Sequence, residues 1–314
     1  WTAEAIGERY ELPLARSYTE TGAAVAAAQW HARMLQLDGD VRAADMLEQV
    51  LHNALLAGMS LDGDEWFYAN PHATTCRGEE HAWIGEELPG QVAGPLPLRR
   101  APWRDVTCCA PNVNRALATL PGQLYGTDAD GNLWVHGFAS SHVSAGGFEL
   151  EVSTDMPWSG RVAITVHAAP PREASLLVRG PAWSTAAFAG RYREERRVWS
   201  AGDLLEIDLG VAPRVLAANP RVESTRGSVA IGRGPFVYCF EGVDNPGVDD
   251  LRDLAVRDDT TFETTQDVSG VGGVTALRCA ATVTEPTRLC RPVTSEIGAL
   301  RAVTATAIPY YAWA

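Results

Sequence analysis

The period of the hydrophobic residues changes near Leu124, and this change limits what the chain can fold into. Before it, apolar residues recur every three to five positions; after it, they alternate. Residues 19–37 are rich in good helix formers, with Val25, Trp30, Met34 and Leu37 as an apolar series. The spacing predicts a helix with Thr19 or Thr21 as N-cap, broken by Asp38-Gly39-Asp40. Residues 41–56 place Ala44, Leu47, Val50, Leu51, Ala54 and Leu55 on one amphipathic face. Two helices joined by a tight turn indicate a bundle or an α/α toroid. A third helix is expected from Pro111 to Leu120. Between the helices, residues 60–107 are rich in Gly, Pro and Trp, and a loop of that length in a compact domain is usually functional.

Beyond Leu124, alternation predicts strands over 133–138, 148–154, 162–166, 175–179 and 204–209, enough for an antiparallel β-sandwich. A second β section is expected over 228–231, 236–240 and 303–308. The acidic, Gly-rich segment 243–270 between these strands reads as a surface loop. The fold class is therefore multidomain α+β, with helices over 1–124, a β-sandwich over 125–220 and a second sandwich module over 221–314. With 46% hydrophobic and 21% charged residues the chain can bury a core without staples. A net charge of −13 without a basic stripe argues against nucleic acid as a partner. No apolar run approaches the ~20 residues of a membrane-spanning helix, so no membrane partner is expected.

Of the six cysteines, only Cys108-Cys109 is distinctive. Adjacent cysteines pair with each other only under backbone strain, whereas both can turn toward one metal or one substrate. The alternative is two small buried thiols at a helix start. Cys239 lies in an apolar strand and reads as core, and Cys279 and Cys290 have no metal-like spacing. Glu4, Glu11, Glu20 and Glu48 are either acid/base or metal-binding carboxylates, or solvated and capping ones. Trp66, Phe67 and Tyr68 beside Asn70-Pro71 suit either a sugar platform or core packing. His31, His52, His72 and His81 form no zinc-protease pattern.

Seven motifs in collinear order resemble the β-L-arabinofuranosidases of glycoside hydrolase family 127 and the related family 146. They are Tyr10-Glu11-Leu12-Pro13, Tyr18-Thr19-Glu20-Thr21, Ser60-Leu61-Asp62-Gly63 with Phe67-Tyr68-Ala69-Asn70-Pro71, and Cys108-Cys109-Ala110-Pro111-Asn112. Pro157-Trp158-Ser159-Gly160-Arg161-Val162, the segment 233–239 and the segment 309–314 complete the series. The resemblance covers the later part of such enzymes, whose members carry further helices upstream. The chain is thus expected to be a fragment holding part of an (α/α) barrel, with any targeting segment upstream of it. A fragment lacking half of its toroid is expected neither to fold properly nor to react. Reduced adjacent thiols point to a reducing compartment, hence a cytoplasmic location.

The resemblance implies a retaining glycosidase acting on an oligosaccharide or glycoconjugate, with a zinc-bound cysteine thiolate as nucleophile and a separate Glu as acid/base. Position by position, Cys108 becomes the nucleophile and Glu20, Cys108 and Cys109 become Zn2+ ligands. The acid/base falls on Glu4, sixteen residues before Glu20. Glu48 and Tyr68 match positions that line the sugar pocket. One ligand does not transfer: the family pattern Glu-Thr-Cys is Glu20-Thr21-Gly22 here, and Leu14-Ala15 replaces the Asn-Asp that commonly follows Leu-Pro. Water or Cys76 would then be the fourth ligand, or the site has decayed and the chain only binds glycan or serves structurally.

Overall fold

The computed structural model describes residues 7–14, 19–70, 72, 100–103, 107–266, 273–285 and 299–313. Its helical part consists of α1 (Thr21–Asp38), α2 (Val41–Val50) and α3 (Cys109–Thr119). Helix α1 starts two residues after Thr19 because Glu20 is extended, with φ −60° and ψ 135°. Glu20 bridges to Ala69, and the Asn70 N–H donates to the Thr19 carbonyl at 3.0 Å. Gly39 ends α1 with a φ of 65°, a conformation that costs glycine little, and its N–H closes on Leu35 O. Asp40 caps α2 by accepting from the Arg42 N–H at 2.9 Å.

The expected stripe on α1 is only partly correct. Trp30 and Leu37 are exposed at 67% and 77%. The buried face is instead built from Ala24, Val25, Ala28, Ala32 and Leu35, where small side chains let helices approach closely. Ala24, Val25, Ala28 and Ala32 share a core with Leu47, Leu55, Val113 and Ala116. The second helix does run on past Val50, but as a π-helical turn over Leu51–Leu55 and a 3-10 turn over Leu56–Gly58. Asn53 explains the distortion. Its side chain donates to Pro235 O at 2.9 Å and accepts from Val237 N–H at 2.7 Å, which anchors the helix to the C-terminal sheet.

The next eight strands are β1 (Tyr125–Thr127), β2 (Leu133–Val135), β3 (Ser141–Ala145), β4 (Phe148–Thr154), β5 (Arg161–Ala168), β6 (Glu173–Gly180), β7 (Arg191–Val198) and β8 (Leu204–Asp208). They form two four-stranded sheets, β1-β2-β6-β7 and β3-β4-β5-β8. One core holds Leu133, Leu176 and Val178 from the first sheet with Phe148, Leu150, Val152 and Ile164 from the second, so the sandwich is present. It is not wholly antiparallel, because β2 pairs with β6 in parallel, Leu133 opposite Leu176. Strand β7 was not legible by alternation: it reads RYREERRV, and its charges suit a sheet edge that must not aggregate.

The remaining strands are β9 (Pro213–Leu216), β10 (Ala230–Arg233), β11 (Phe236–Phe240), β12 (Leu254–Ala255), β13 (Phe262–Thr265), β14 (Ala276–Glu285) and β15 (Ala299–Pro309). Among the described residues they form one sheet, β12-β14-β15-β11-β10-β9 with β13 also on β14, instead of a second sandwich. The segment expected as a loop supplies β12 and β13, and β9 joins this sheet by pairing with β10. The described helices are three, and they do not by themselves amount to a barrel.

A buried ion cluster joins helix and sandwich. Arg179, on β6 and fully buried, donates to Asp45 and Glu48 of α2 and to the His136 carbonyl. The other Glu48 oxygen accepts from the Trp183 indole at 2.7 Å. Beside it, the His136 ring meets the Tyr192 hydroxyl at 2.7 Å. Burial first, and the Arg179 charge second, push its pKa down to about 4. An unfolded histidine titrates near 6.5, so between about pH 6.5 and 4 the unfolded chain binds a proton that the folded chain does not. Stability should therefore fall on acidification, by roughly 2 kcal/mol from this group at pH 5. Burial also lowers His52 and His72, in the same direction. Urea midpoints at pH 7 and pH 5 for wild type and His136→Gln measure it. The variant should lose less than wild type, and equal losses would remove His136 from the account.

Candidate metal centre

Two backbone segments form the floor of the site. The Thr21 N–H donates to Tyr68 O at 2.8 Å, and the Thr21 hydroxyl donates to Phe67 O at 3.0 Å. Asn70 in turn donates to the Thr21 hydroxyl at 3.0 Å. Thr21 is fully buried against Gly58, where a β-carbon would lie 2.3 Å from the Thr21 methyl, so no larger residue fits there. From behind, Trp313 stacks on Phe67 at 4.9 Å, Arg100 lies over the same ring at 4.7 Å, and the Tyr310 hydroxyl donates to Asn70 O at 3.2 Å. The aromatic motif is thus divided. Phe67 is core, and Tyr68 faces the site.

Glu20 stands at the N-terminal boundary of α1 but makes no side-chain cap there. Its carboxylate turns toward the start of α3. The Cys108 Sγ lies 3.6 Å and the Cys109 Sγ 3.7 Å from Glu20 Oε1, and the two sulfurs are 3.7 Å apart. The Tyr68 hydroxyl donates to the second oxygen, Oε2, at 3.3 Å. Helix α3 begins at Cys109, two residues earlier than expected, with Pro111 inside the first turn where its missing N–H costs nothing. That start turns both sulfurs to one side, and the Asn112 amide holds the Cys108 carbonyl at 2.8 Å.

Both thiols are poor acids in this setting. Burial first, and the neighbouring Cys108 second, push Cys109 up to about 12, against the pull of the Gly22 N–H. Burial also raises Cys108, with Glu20 adding to it. A positive charge placed among the three groups would reverse this, and the Glu20, Cys108 and Cys109 ligand atoms lie close enough together to hold a metal ion. Gly22 faces the same point. A β-carbon there would lie 3.8 Å from Cys109 Sγ and 2.5 Å from Glu20 Oε1, the mobile end of a side chain. Next to the cluster a cavity of about 450 Å³ is lined by Trp66, Tyr68, Trp103, Cys109 and Asn114, among others.

The structure therefore brings together Glu20, Cys108, Cys109 and Tyr68. It places Glu48 in the ion cluster, with Arg179 on one carboxylate oxygen and the Trp183 indole on the other. Glu4, Cys76 and Ala15 lie outside the described residues. Sequence reasoning missed Arg179, Asp45 and Trp183, which no local pattern marks. It also missed the Thr21–Gly58 contact, for which the small residue 58 at the end of the second helix was the one available signal. No helix among the described residues is long and apolar enough to cross a membrane.

Comparison with known proteins identifies the family along the chain. Residues 2–122 match the GH127 catalytic domain of β-L-arabinofuranosidase, residues 132–211 its middle domain, and residues 213–314 the glycoside hydrolase family 127 C-terminal domain. The non-reducing end β-L-arabinofuranosidase of Bifidobacterium longum subsp. longum is 32% identical over 97% of this chain and 48% of its own length. A GH127 β-L-arabinofuranosidase from Geobacillus stearothermophilus T6 superposes with a TM-score of 0.80 at 29% identity, over 97% of this chain and 49% of that one. A further solved chain, described as a glycoside hydrolase, gives 0.81 at 26% identity, over 97% and 51%. The chain spans about half the length of the curated relative it matches. Three consecutive domain models of one family, matched in order, show that the chain belongs to glycoside hydrolase family 127.

Proposed function

We propose that the complete protein is a retaining glycoside hydrolase that removes β-L-arabinofuranosyl units from an oligosaccharide or glycoconjugate, with zinc held by Glu20, Cys108 and Cys109. The observation that carries the reading is the size of the ligand triangle. Zinc–sulfur bonds of about 2.3 Å and zinc–oxygen bonds of about 2.0 Å give tetrahedral edges of about 3.8 Å between sulfurs and about 3.5 Å from sulfur to oxygen. The triangle has edges of 3.7, 3.6 and 3.7 Å. Helices α1–α3 would then belong to an (α/α) barrel over 1–124, followed by the β modules over 125–220 and 221–314. The reduced thiols suit the cytoplasm.

Bound zinc would keep the cysteines as thiolates at neutral pH. Cys108 Sγ then forms a bond to the anomeric carbon as the bond to the leaving oxygen breaks, and Glu4 gives that oxygen its proton. In the second step the Glu4 carboxylate takes a proton from water, the water oxygen bonds to the anomeric carbon, and the carbon–sulfur bond breaks. Tyr68 keeps the Glu20 carboxylate aimed at the sulfurs and contacts the sugar across the adjoining cavity.

The test is Gly22→Cys. Four-ligand zinc sites bind with about 10–16 kcal/mol, so one added thiolate, discounted for moving the Glu20 carboxylate aside, should tighten zinc by about a hundredfold. Competition with a chromophoric chelator reads the change. Unchanged affinity would remove zinc from this centre. Gly22 also favours a second reading, a homologue that binds glycan without turnover. Wild-type protein purified without added metal distinguishes the two: about one zinc per chain supports the enzyme, and none, even after zinc is added back, supports the binder.

A further inference from the structure

A second cavity, of about 490 Å³, lies between the last turn of α1 and the first sheet of the sandwich. Helix α1 begins at the Glu20 centre and ends at this cavity, and its 18 residues separate the two by about 27 Å. Its walls include Gln36 and Asp38 from α1, Gln123 from the turn after α3, Tyr125 from β1, and Trp134 and His136. A volume of this size is in the range of small-molecule sites.

The rings are held in place before any ligand arrives. The Trp134 indole N–H donates to Asp128 Oδ2 at 3.2 Å, and the other Asp128 oxygen accepts the Asp130 and Asn132 N–H groups at 3.0 and 2.9 Å. Tyr192 meets the Trp134 ring edge to face at 4.8 Å. The same Tyr192 engages His136 Nδ1, so the second ring nitrogen is turned toward Gly126, another wall residue. Around the fixed rings stand the carboxamides of Gln36 and Gln123 and the carboxylates of Asp38 and Asp128, which donate to and accept from hydroxyl groups; Gln36 Oε1 also accepts from Arg33 at 3.2 Å, which leaves its N–H groups for a ligand. No arginine is among the described wall residues, and the acidic groups make the cavity unsuited to phosphate or carboxylate ligands. An aromatic face beside neutral and acidic hydrogen-bonding groups is the chemistry that holds the C–H face and hydroxyls of an uncharged sugar.

We propose that this cavity is a second carbohydrate-binding site, taking one or two uncharged sugar units of a glycan against Trp134, with Gln36, Asp38 and Gln123 as hydroxyl partners. It stands whether or not the Glu20 centre is catalytic. A glycan held here would stay near that centre between encounters.

The experiment is calorimetric titration of the complete protein, as wild type and as Cys108→Ser, with L-arabinose, an α-linked arabino-oligosaccharide and a galacto-oligosaccharide. Saturable millimolar binding to at least one probe is expected in both proteins. The double variant Gln36→Ala/Gln123→Ala, at one exposed and one half-buried position, should weaken it at least about tenfold with the thermal midpoint unchanged. Trp134→Phe, which keeps an aromatic ring but loses the indole N–H, should weaken it severalfold. Absence of saturable binding to all three probes overturns the proposal. So does binding that ignores Gln36 and Gln123 but disappears in Tyr68→Phe, which would put the sugar at the Glu20 centre.

Discussion

Replacing Arg179 by alanine should cost the full chain about 3–5 kcal/mol, the range for removing one partner of a buried ion pair. Arg179 is fully buried, and its guanidinium is the shared partner of Asp45 and Glu48, whose side chains are 19% and 9% exposed. Alanine would leave two carboxylates in a poorly solvated seam. Burial already raises the Asp45 pKa despite the arginine beside it, so without Arg179 the pair would take up protons to fold. The loss should therefore be greatest near neutral pH and shrink on acidification, as both carboxylates become neutral. The triple replacement Arg179→Met/Asp45→Leu/Glu48→Leu should recover much of it, because well-packed apolar groups avoid the desolvation of all three charges. Urea unfolding at two pH values measures each. A loss under about 1 kcal/mol for Arg179→Ala would mean that water reaches the carboxylates and that the ion cluster does not hold helix to sandwich.

Cys108→Ser should abolish hydrolysis of a terminal β-L-arabinofuranoside by the complete protein, with turnover falling on the order of a thousandfold or more. Serine keeps the shape of the side chain, so the start of α3 and its Asn112 bond should persist. On the proposed mechanism, what is lost is a soft nucleophile that a metal can hold deprotonated; a serine hydroxyl in the same place keeps its proton at neutral pH. An unchanged circular dichroism spectrum separates loss of chemistry from loss of fold. Retained turnover would refute the nucleophile. Because Cys109 is the more buried thiol and is pushed up to about 12, alkylation of the metal-free protein should favour Cys108, which mass spectrometry of peptides reads directly.

The parts of the site that were legible in sequence are those that follow chain order. The Cys108-Cys109 pair is a local feature, and its placement at a helix start follows from Pro111 and the apolar spacing that comes after. Glu20 could be assigned only through resemblance, because a single carboxylate before an alanine-rich helix is more often a cap. The structure shows why it is not one: Tyr68 holds one oxygen and the two thiols approach the other. Gly22 was visible as a departure from the motif. That its absent side chain would point at Cys109 is a matter of three-dimensional placement. Glu48 shows the opposite case. It shares a helix face with Leu47 and Leu51, yet its partner lies 131 residues away, so no periodicity could separate a sugar contact from a buried ion pair.

Hydrophobic period is a property of neighbouring residues, and by itself it determined that helices come first and that a sandwich follows them. Pairing between distant segments depends on which surfaces meet, and sequence spacing does not encode that directly. Only the tertiary structure decided that β2 pairs in parallel with β6, that the C-terminal strands make one sheet, and that a strand as charged as β7 belongs at an edge. It also decided the ligand triangle itself. Glu20 and Cys108 are 88 residues apart in the chain and 3.6 Å apart in space, because α1 and α3 pack together through Ala24, Val25, Ala28, Val113 and Ala116.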